Sequence, residues 1–139
     1  MKTKTLGKDF DELLSIIKKI LSDEDGCIIS NKDTFQTQLE QIREEVCELK
    51  AAIEHDNKSE INEELGHVLF DIIYLAVLGE KQNKVDLENV FKELNWSIKY
   101  RFPHVFEGIK CDSVDDIKKL QKERKNSYHQ MKKDGTLPI

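Results

Sequence analysis

Two short carboxylate clusters carry the chemistry this sequence can do. The first is Glu44-Glu45-Val46-Cys47-Glu48, and the second is Glu63-Glu64-Leu65-Gly66-His67, followed four residues later by Asp71. Residues three and four apart share a helical face, so Glu45 projects with Glu48, and Glu64 with His67. If the two helices pack antiparallel, three carboxylates and one imidazole converge on a point. Clustered carboxylates repel one another unless a cation lies between them, so a divalent metal is the simplest reason to build the cluster. Taken alone, Glu44, Glu45 and Glu48 more often describe a solvated helix face. The second cluster at Glu63 and Glu64 weighs against that reading, and Asp71, costly to bury unpaired within an apolar run, is read separately as part of a site.

The elements that must position these residues are helical. Phe10, Leu13, Leu14, Ile17, Ile20 and Leu21 form an apolar stripe at helical spacing, which predicts a first helix from Asp9, with Glu12 completing a capping box. Ser22 to Lys32 reads as a loop. A second helix is expected from Asp33 or Thr34 to about His55, with Leu39, Ile42, Val46, Leu49 and Ile53 as a heptad-like seam. The polar connection His55 to Lys58 predicts an antiparallel third helix, capped by Asn57 or Ser59. This helix carries Ile61, Leu65, Val68, Leu69, Ile72, Ile73 and Ala76 inward. Gly66 interrupts it, as a mid-helix glycine often does where a neighbour or ligand comes close, and Gly79 to Lys84 forms the next break. Asp86 caps a fourth helix from Leu87 to about Tyr100, with Val90, Phe91, Leu94 and Ile98 as core. Pro103 ends helical structure there, and Ser113 with Asp116 opens a last basic segment.

The fold class is therefore all-α: an antiparallel four-to-five-helix domain over residues 1–110, with a basic helix or tail over 111–139. A single layer of antiparallel helices leaves seams such as Leu39 to Ile53 needing cover, so a helical-bundle dimer at least is expected. With 139 residues, 38% apolar and 35% charged, the chain has the material for a core and highly charged outer faces. A net charge of −5 argues against nucleic acid as the partner. Three cysteines without CxxC spacing fit free thiols in a reducing, cytoplasmic setting. Met1 to Lys8 lacks the apolar region of a secretory signal, and no apolar run is long enough for a bilayer, so no membrane association is expected.

The motif Glu44-Glu45-x-x-Glu48, then Glu64-x-x-His67, resembles the EExxE…ExxD motif of MazG-type nucleoside triphosphate pyrophosphohydrolases. Three flanking features add to it. Gly26-Cys27 stands where the family has a Gly-Cys-Pro-Trp-Asp loop, and Thr34 matches the Thr of its Gln-Thr pair. Arg101-Phe102-Pro103-His104-Val105-Phe106 is similar to its Arg-His-Pro-His-Val-Phe signature. The resemblance spans roughly Phe10 to Gly108. It implies an all-α dimer that cleaves nucleoside triphosphates, standard or modified, to the monophosphate and pyrophosphate, as nucleotide-pool house-cleaning. It implies Mg²⁺ held by Glu45, Glu48 and Glu64, with Glu44 a ligand or a base orienting water. Arg101 would contact phosphate, with Lys99, Trp96 and Asp71 as further substrate-side candidates.

The sequence also departs from the pattern. His67 stands in place of the last Asp, and imidazole favours Mn²⁺ or Co²⁺ over Mg²⁺. Ile28-Ile29-Ser30 replaces Pro-Trp-Asp, Ser97 stands at a Lys position, and Phe102 replaces the first His of the signature. Two other readings follow: a catalytically impaired dimer that binds nucleotide or a protein partner, and a di-metal carboxylate site built on the Glu64-x-x-His67 pair.

Overall fold

The computed structural model describes residues 6–139; Met1 to Thr5, part of the N-terminal stretch read above, lie outside the described residues. Six α-helices follow in order: α1 Leu6–Ile20, α2 Phe35–Glu54, α3 Lys58–Lys81, α4 Leu87–Arg101, α5 Pro103–Phe106 and α6 Val114–Asp134. A single 3₁₀ turn at Ser30–Lys32 lies between α1 and α2, and there is no strand among the described residues. The chain forms two compact units, one ending at Asp86 and one from Leu87 to Ile139. No helix among the described residues is long and apolar enough to cross a membrane.

The first unit is organised on the α2–α3 hairpin. Thr34 caps α2 in a reciprocal box with Thr37, its Oγ1 accepting from the Thr37 amide at 3.1 Å. Asn57 caps α3 by accepting from the Glu60 amide at 3.1 Å. Asp56 turns the chain between the helices with φ 51°, a left-handed conformation that Asp tolerates better than most residues. α1 packs on α3, and Ile17, Leu21, Val68, Ile73, Tyr74, Val77 and Leu78 are buried. The Lys81 ammonium ties the α1–α2 connection to the end of α3. It donates to Leu21 O at 2.6 Å, Asp23 Oδ1 at 2.7 Å and Asn31 Oδ1 at 2.6 Å.

In the second unit, α4 and α6 pack together, and Trp96 stacks on Tyr100 at 4.8 Å between centroids. Arg124 of α6 pairs with Glu107 at 2.8 Å while lying 4.5 Å over the Tyr100 ring. Ser113 caps α6, accepting from the Asp116 amide at 3.1 Å. The basic C-terminal segment is therefore one continuous helix, closed by Gly135 at φ 69°.

Several expectations need correction. Helix α1 is already formed at Leu6, so Asp9 lies inside it and does not open it. Gly79 lies within α3 and is buried; a Cβ there would meet Val85 Cγ2 at 2.6 Å and Phe35 Cε1 at 2.8 Å. The glycine is a packing requirement, and the break comes only after Lys81. At Gly66 no protein neighbour comes close, because a Cβ there would meet nothing within 4 Å. Leu65, Leu69 and Ile72 of α3 are exposed rather than inward, beside Leu39, Val46 and Ile53 of the α2 seam, which are exposed as a seam needing cover would be. So are Val90, Phe91, Leu94 and Ile98 of α4. A stripe at helical spacing marks the apolar face but does not say what covers it.

The two glycines should respond oppositely to substitution. Gly66→Ala should raise stability by about 0.5–1 kcal/mol through backbone entropy. Gly79→Leu should lower it by about 1–3 kcal/mol through overpacking. Urea unfolding of both variants checks this; equal effects would contradict the packing described.

Candidate metal and substrate site

Helical geometry and antiparallel pairing build the site. Along α2 the polar residues Gln38, Gln41, Glu45 and Glu48 recur at steps of three and four, and along α3 Glu64, His67, Asp71 and Tyr74 do the same. Each set therefore forms one stripe. Because α2 and α3 run antiparallel, Glu45 and Glu48 meet Glu64 and His67, while Gln38 meets Asp71. One ligand atom from each of Glu45, Glu48, Glu64 and His67 lies within 4.8 Å of the others.

The electrostatics follow from that crowding. His67 Nδ1 lies 3.4 Å from Glu64 Oε2 and 3.5 Å from Glu45 Oε2. Desolvation alone would lower the imidazole pKa, but the hydrogen bond to Glu64 and the charges of Glu45, Glu64 and Glu63 outweigh it and raise it. The Glu45 carboxyl is also pushed up, first by desolvation and then by repulsion from Glu48, with His67 opposing. Apart from the His67 ring at 3.4–3.5 Å, the buried Oε2 atoms of Glu45 and Glu64 have no partner. Three carboxylates and an imidazole with orphaned oxygens fit a divalent cation as the missing counter-charge. The raised imidazole pKa is the response of His67 to the same negative charge.

Beside the cluster lies a groove of about 440 Å³, lined by Asp33, Thr37, Gln38, Gln41, Asp71 and Tyr74 among others. Gln41 lines it while its Nε2 donates to Glu45 Oε1 at 3.2 Å, so groove and cluster share a wall. Asp71 is 6% exposed, and its Oδ2 is unpartnered. Burial pushes its carboxyl up, while the Gln38 side chain and the His67 charge oppose. Gln38 is equally buried and donates to the Asp71 carbonyl at 3.0 Å. Tyr74 donates to Asp33 Oδ2 at 2.6 Å, and desolvation followed by that acidic neighbour raises its phenol to about 12.

Of the residues singled out from the sequence, Glu45, Glu48, Glu64 and His67 come together, and Asp71 lies in the adjoining groove. Glu44 is exposed and outside the four. Arg101, Lys99 and Trp96 belong to the second unit. There Lys99 and Trp96 border a cavity of about 340 Å³ with Tyr100, Phe106, Glu107 and Arg124. Sequence reasoning missed Gln38, Gln41, Asp33 and Tyr74. The signal was present for three of them, because each continues the polar stripe of Glu45 or His67 at helical steps.

Comparison with known proteins places these features in context. The sequence profile of the MazG nucleotide pyrophosphohydrolase domain matches residues 33–106. The chain is 35% identical over 127 residues to the Thermotoga maritima nucleoside triphosphate pyrophosphohydrolase/pyrophosphatase MazG, covering 89% of this chain and 49% of that protein. It is 25% identical over 107 residues to the nucleoside triphosphate pyrophosphohydrolase of Escherichia coli K12, covering 77% of this chain and 41% of that one. The chain thus spans about half the length, or less, of these relatives. The crystal structure of a mazG-related protein from Thermotoga maritima superposes with a TM-score of 0.74 at 28% identity, covering 84% of this chain and 98% of that one.

The raised Glu45 carboxyl has a stability consequence. A carboxyl whose folded pKa exceeds its unfolded one binds more protons when folded, so its charge costs stability above the folded pKa, and the cost fades as pH falls through it. Chelator-treated Glu45→Gln should therefore have a higher urea midpoint than wild type at pH 7, with the gain vanishing as the carboxylates protonate. A lower midpoint at pH 7 would contradict the crowding described.

Proposed function

The chain belongs to the MazG nucleotide pyrophosphohydrolase domain family, and from that premise we propose that it hydrolyses nucleoside triphosphates to the monophosphate and pyrophosphate. The observation that carries this reading is the convergence of Glu45, Glu48, Glu64 and His67 to within 4.8 Å. These four residues would hold a divalent cation. When bound, such a cation neutralises phosphate charge and lowers the pKa of a coordinated water.

The chain's own residues supply the rest. Glu44 is the carboxylate of the first cluster left outside the four, and it orients the attacking water and accepts its proton. Glu45 is held in place by Gln41, whose amide fixes one of its oxygens and leaves Oε2 for the cation. The family resemblance gives Arg101 the role of binding phosphate, where a guanidinium fork meets two oxygens at once; Lys99 and Trp96, beside the Ser97 that replaces the family's Lys, are further substrate-side candidates. The substrates are standard or modified nucleotides, removed from the pool as house-cleaning in the cytoplasm, where Cys27, Cys47 and Cys111 stay free. A second copy of the chain covers the apolar face of Leu39, Val46, Ile53, Leu65, Leu69 and Ile72, all exposed in the single chain. Light scattering should therefore give at least the mass of two chains; a monomer at assay concentration would count against this.

His67 sets the metal preference. Magnesium favours an all-oxygen octahedron, whereas Mn²⁺ and Co²⁺ accept an imidazole readily. Pyrophosphate release should be faster with Mn²⁺ or Co²⁺ than with Mg²⁺, and His67→Asp should shift the preference towards Mg²⁺. Glu48→Ala should lower turnover on the order of a hundredfold or more. A panel of nucleotides and metals that yields no product above the Glu48→Ala control would overturn the reading. Binding without turnover, restored to turnover by His67→Asp, would instead identify an impaired member of the family.

A further inference from the structure

The groove beside the four-ligand cluster is unevenly equipped for hydrogen bonding. Its two hydroxyl donors are spent inside the protein, Tyr74 Oη on Asp33 and Thr37 Oγ1 on the Thr34 carbonyl, and Gln38 and Gln41 each commit one amide N–H, to the Asp71 carbonyl and to Glu45. The buried group left without a partner is an acceptor. Asp71 is 6% exposed, lines the groove, and has a carboxylate oxygen, Oδ2, with no partner. A buried carboxylate oxygen without a donor is costly, and a ligand that brings the donor removes that cost.

The lining also says what kind of ligand fits. It contains two carboxylates, Asp33 and Asp71, and no lysine or arginine, so it repels phosphate. Phe70 and Tyr74 add aromatic surface, their rings 5.7 Å apart and tilted. A planar, uncharged heterocycle carrying N–H donors matches this surface better than a sugar phosphate does. Because Gln41 joins the groove to Glu45, such a ring would lie next to the triphosphate end of the site.

Resting on the nucleotide reading above, we propose that Asp71 is the specificity-determining residue of this site. It accepts a hydrogen bond from the exocyclic amino group of a nucleobase seated in the groove, so amino-bearing bases are preferred over their oxo counterparts. A carbonyl in the same place would face the Asp71 carboxylate, acceptor against acceptor. Discrimination then comes as much from the unpaired polar groups of the wrong base as from the contact of the right one.

The test compares nucleotides in which that amino group is replaced by a carbonyl and the adjacent ring nitrogen gains a proton. ATP against ITP, and CTP against UTP, are measured for kcat/KM. The corresponding α,β-imido analogues are measured by equilibrium binding with Mn²⁺, so that the result does not depend on turnover. The amino-bearing member should be favoured by about tenfold or more in at least one pair. Asp71→Asn, which is isosteric and offers a donor as well as an acceptor, should bring that ratio to near one. Equal handling of both members of each pair by wild type would overturn the proposal. So would an Asp71→Asn effect that weakens all nucleotides alike, which would make Asp71 an outer support of the metal cluster. Absence of pyrophosphate release from every nucleotide, with the analogues still discriminated through Asp71, would sink the hydrolase reading and leave this one standing. Absence of all nucleotide binding would sink both.

Discussion

Like-charge repulsion at the α2–α3 crossing is the constraint on which the rest of this structure depends. Glu45, Glu48 and Glu64 bring three negative charges to a point where two of their oxygens are buried with no partner but the His67 ring. Nothing in hydrophobic packing asks for this, and the raised Glu45 carboxyl shows the strain. The fold holds the charges there because the hairpin is fixed at both ends. Asn57 and Asp56 fix the tight connection, and Thr34 fixes the start of α2. Gln38, bridging from α2 to the Asp71 carbonyl of α3, sets the register between them. With those points fixed, the backbone keeps the three carboxylates on facing stripes, and protonation or a counter-ion relieves their repulsion. The same carboxylates raise the His67 imidazole pKa, which favours its charged form beside them. A divalent cation would supply the counter-charge, which is the sense in which structural strain and function are one feature.

The polar seam organises more than the metal cluster. From Glu48 and Glu64 at one end to Gln38 and Tyr74 at the other, it runs along the hairpin with residues at steps of three and four on both helices. One end gathers oxygen and nitrogen ligands. The other opens into the groove, where Asp71 is the unanswered acceptor. The α1–α2 connection closes the far wall through Ser30 and Asp33, and Lys81 secures that connection to α3. A chain with no strands among its described residues thus obtains a site from two helices and one tethered loop.

How much of this was legible in the sequence follows from the range of the forces involved. The α2 and α3 helices, the Thr34, Asn57 and Ser113 caps, and the meeting of Glu45, Glu48, Glu64 and His67 were all readable, because backbone periodicity and local capping set them. The placement of Leu65 or Ile72 was not, since periodicity identifies an apolar face but not its cover. Gly79 read as a break because its cause, the approach of Phe35 and Val85, lies in tertiary packing. Gln38 and Gln41 escaped notice because a lone glutamine on a helix looks like solvated surface. Only in register with Asp71 and Glu45 do they become wall and bridge.

The central claim is that these four side chains share one divalent cation. Anomalous diffraction from crystals of the protein grown with Mn²⁺ tests it most directly. The account predicts a single strong manganese peak per chain, within bonding distance of the Glu45, Glu48 and Glu64 carboxylates and of a His67 ring nitrogen. A peak bound elsewhere, or a cluster left without manganese while the imidazole remains paired to Glu64, would contradict it.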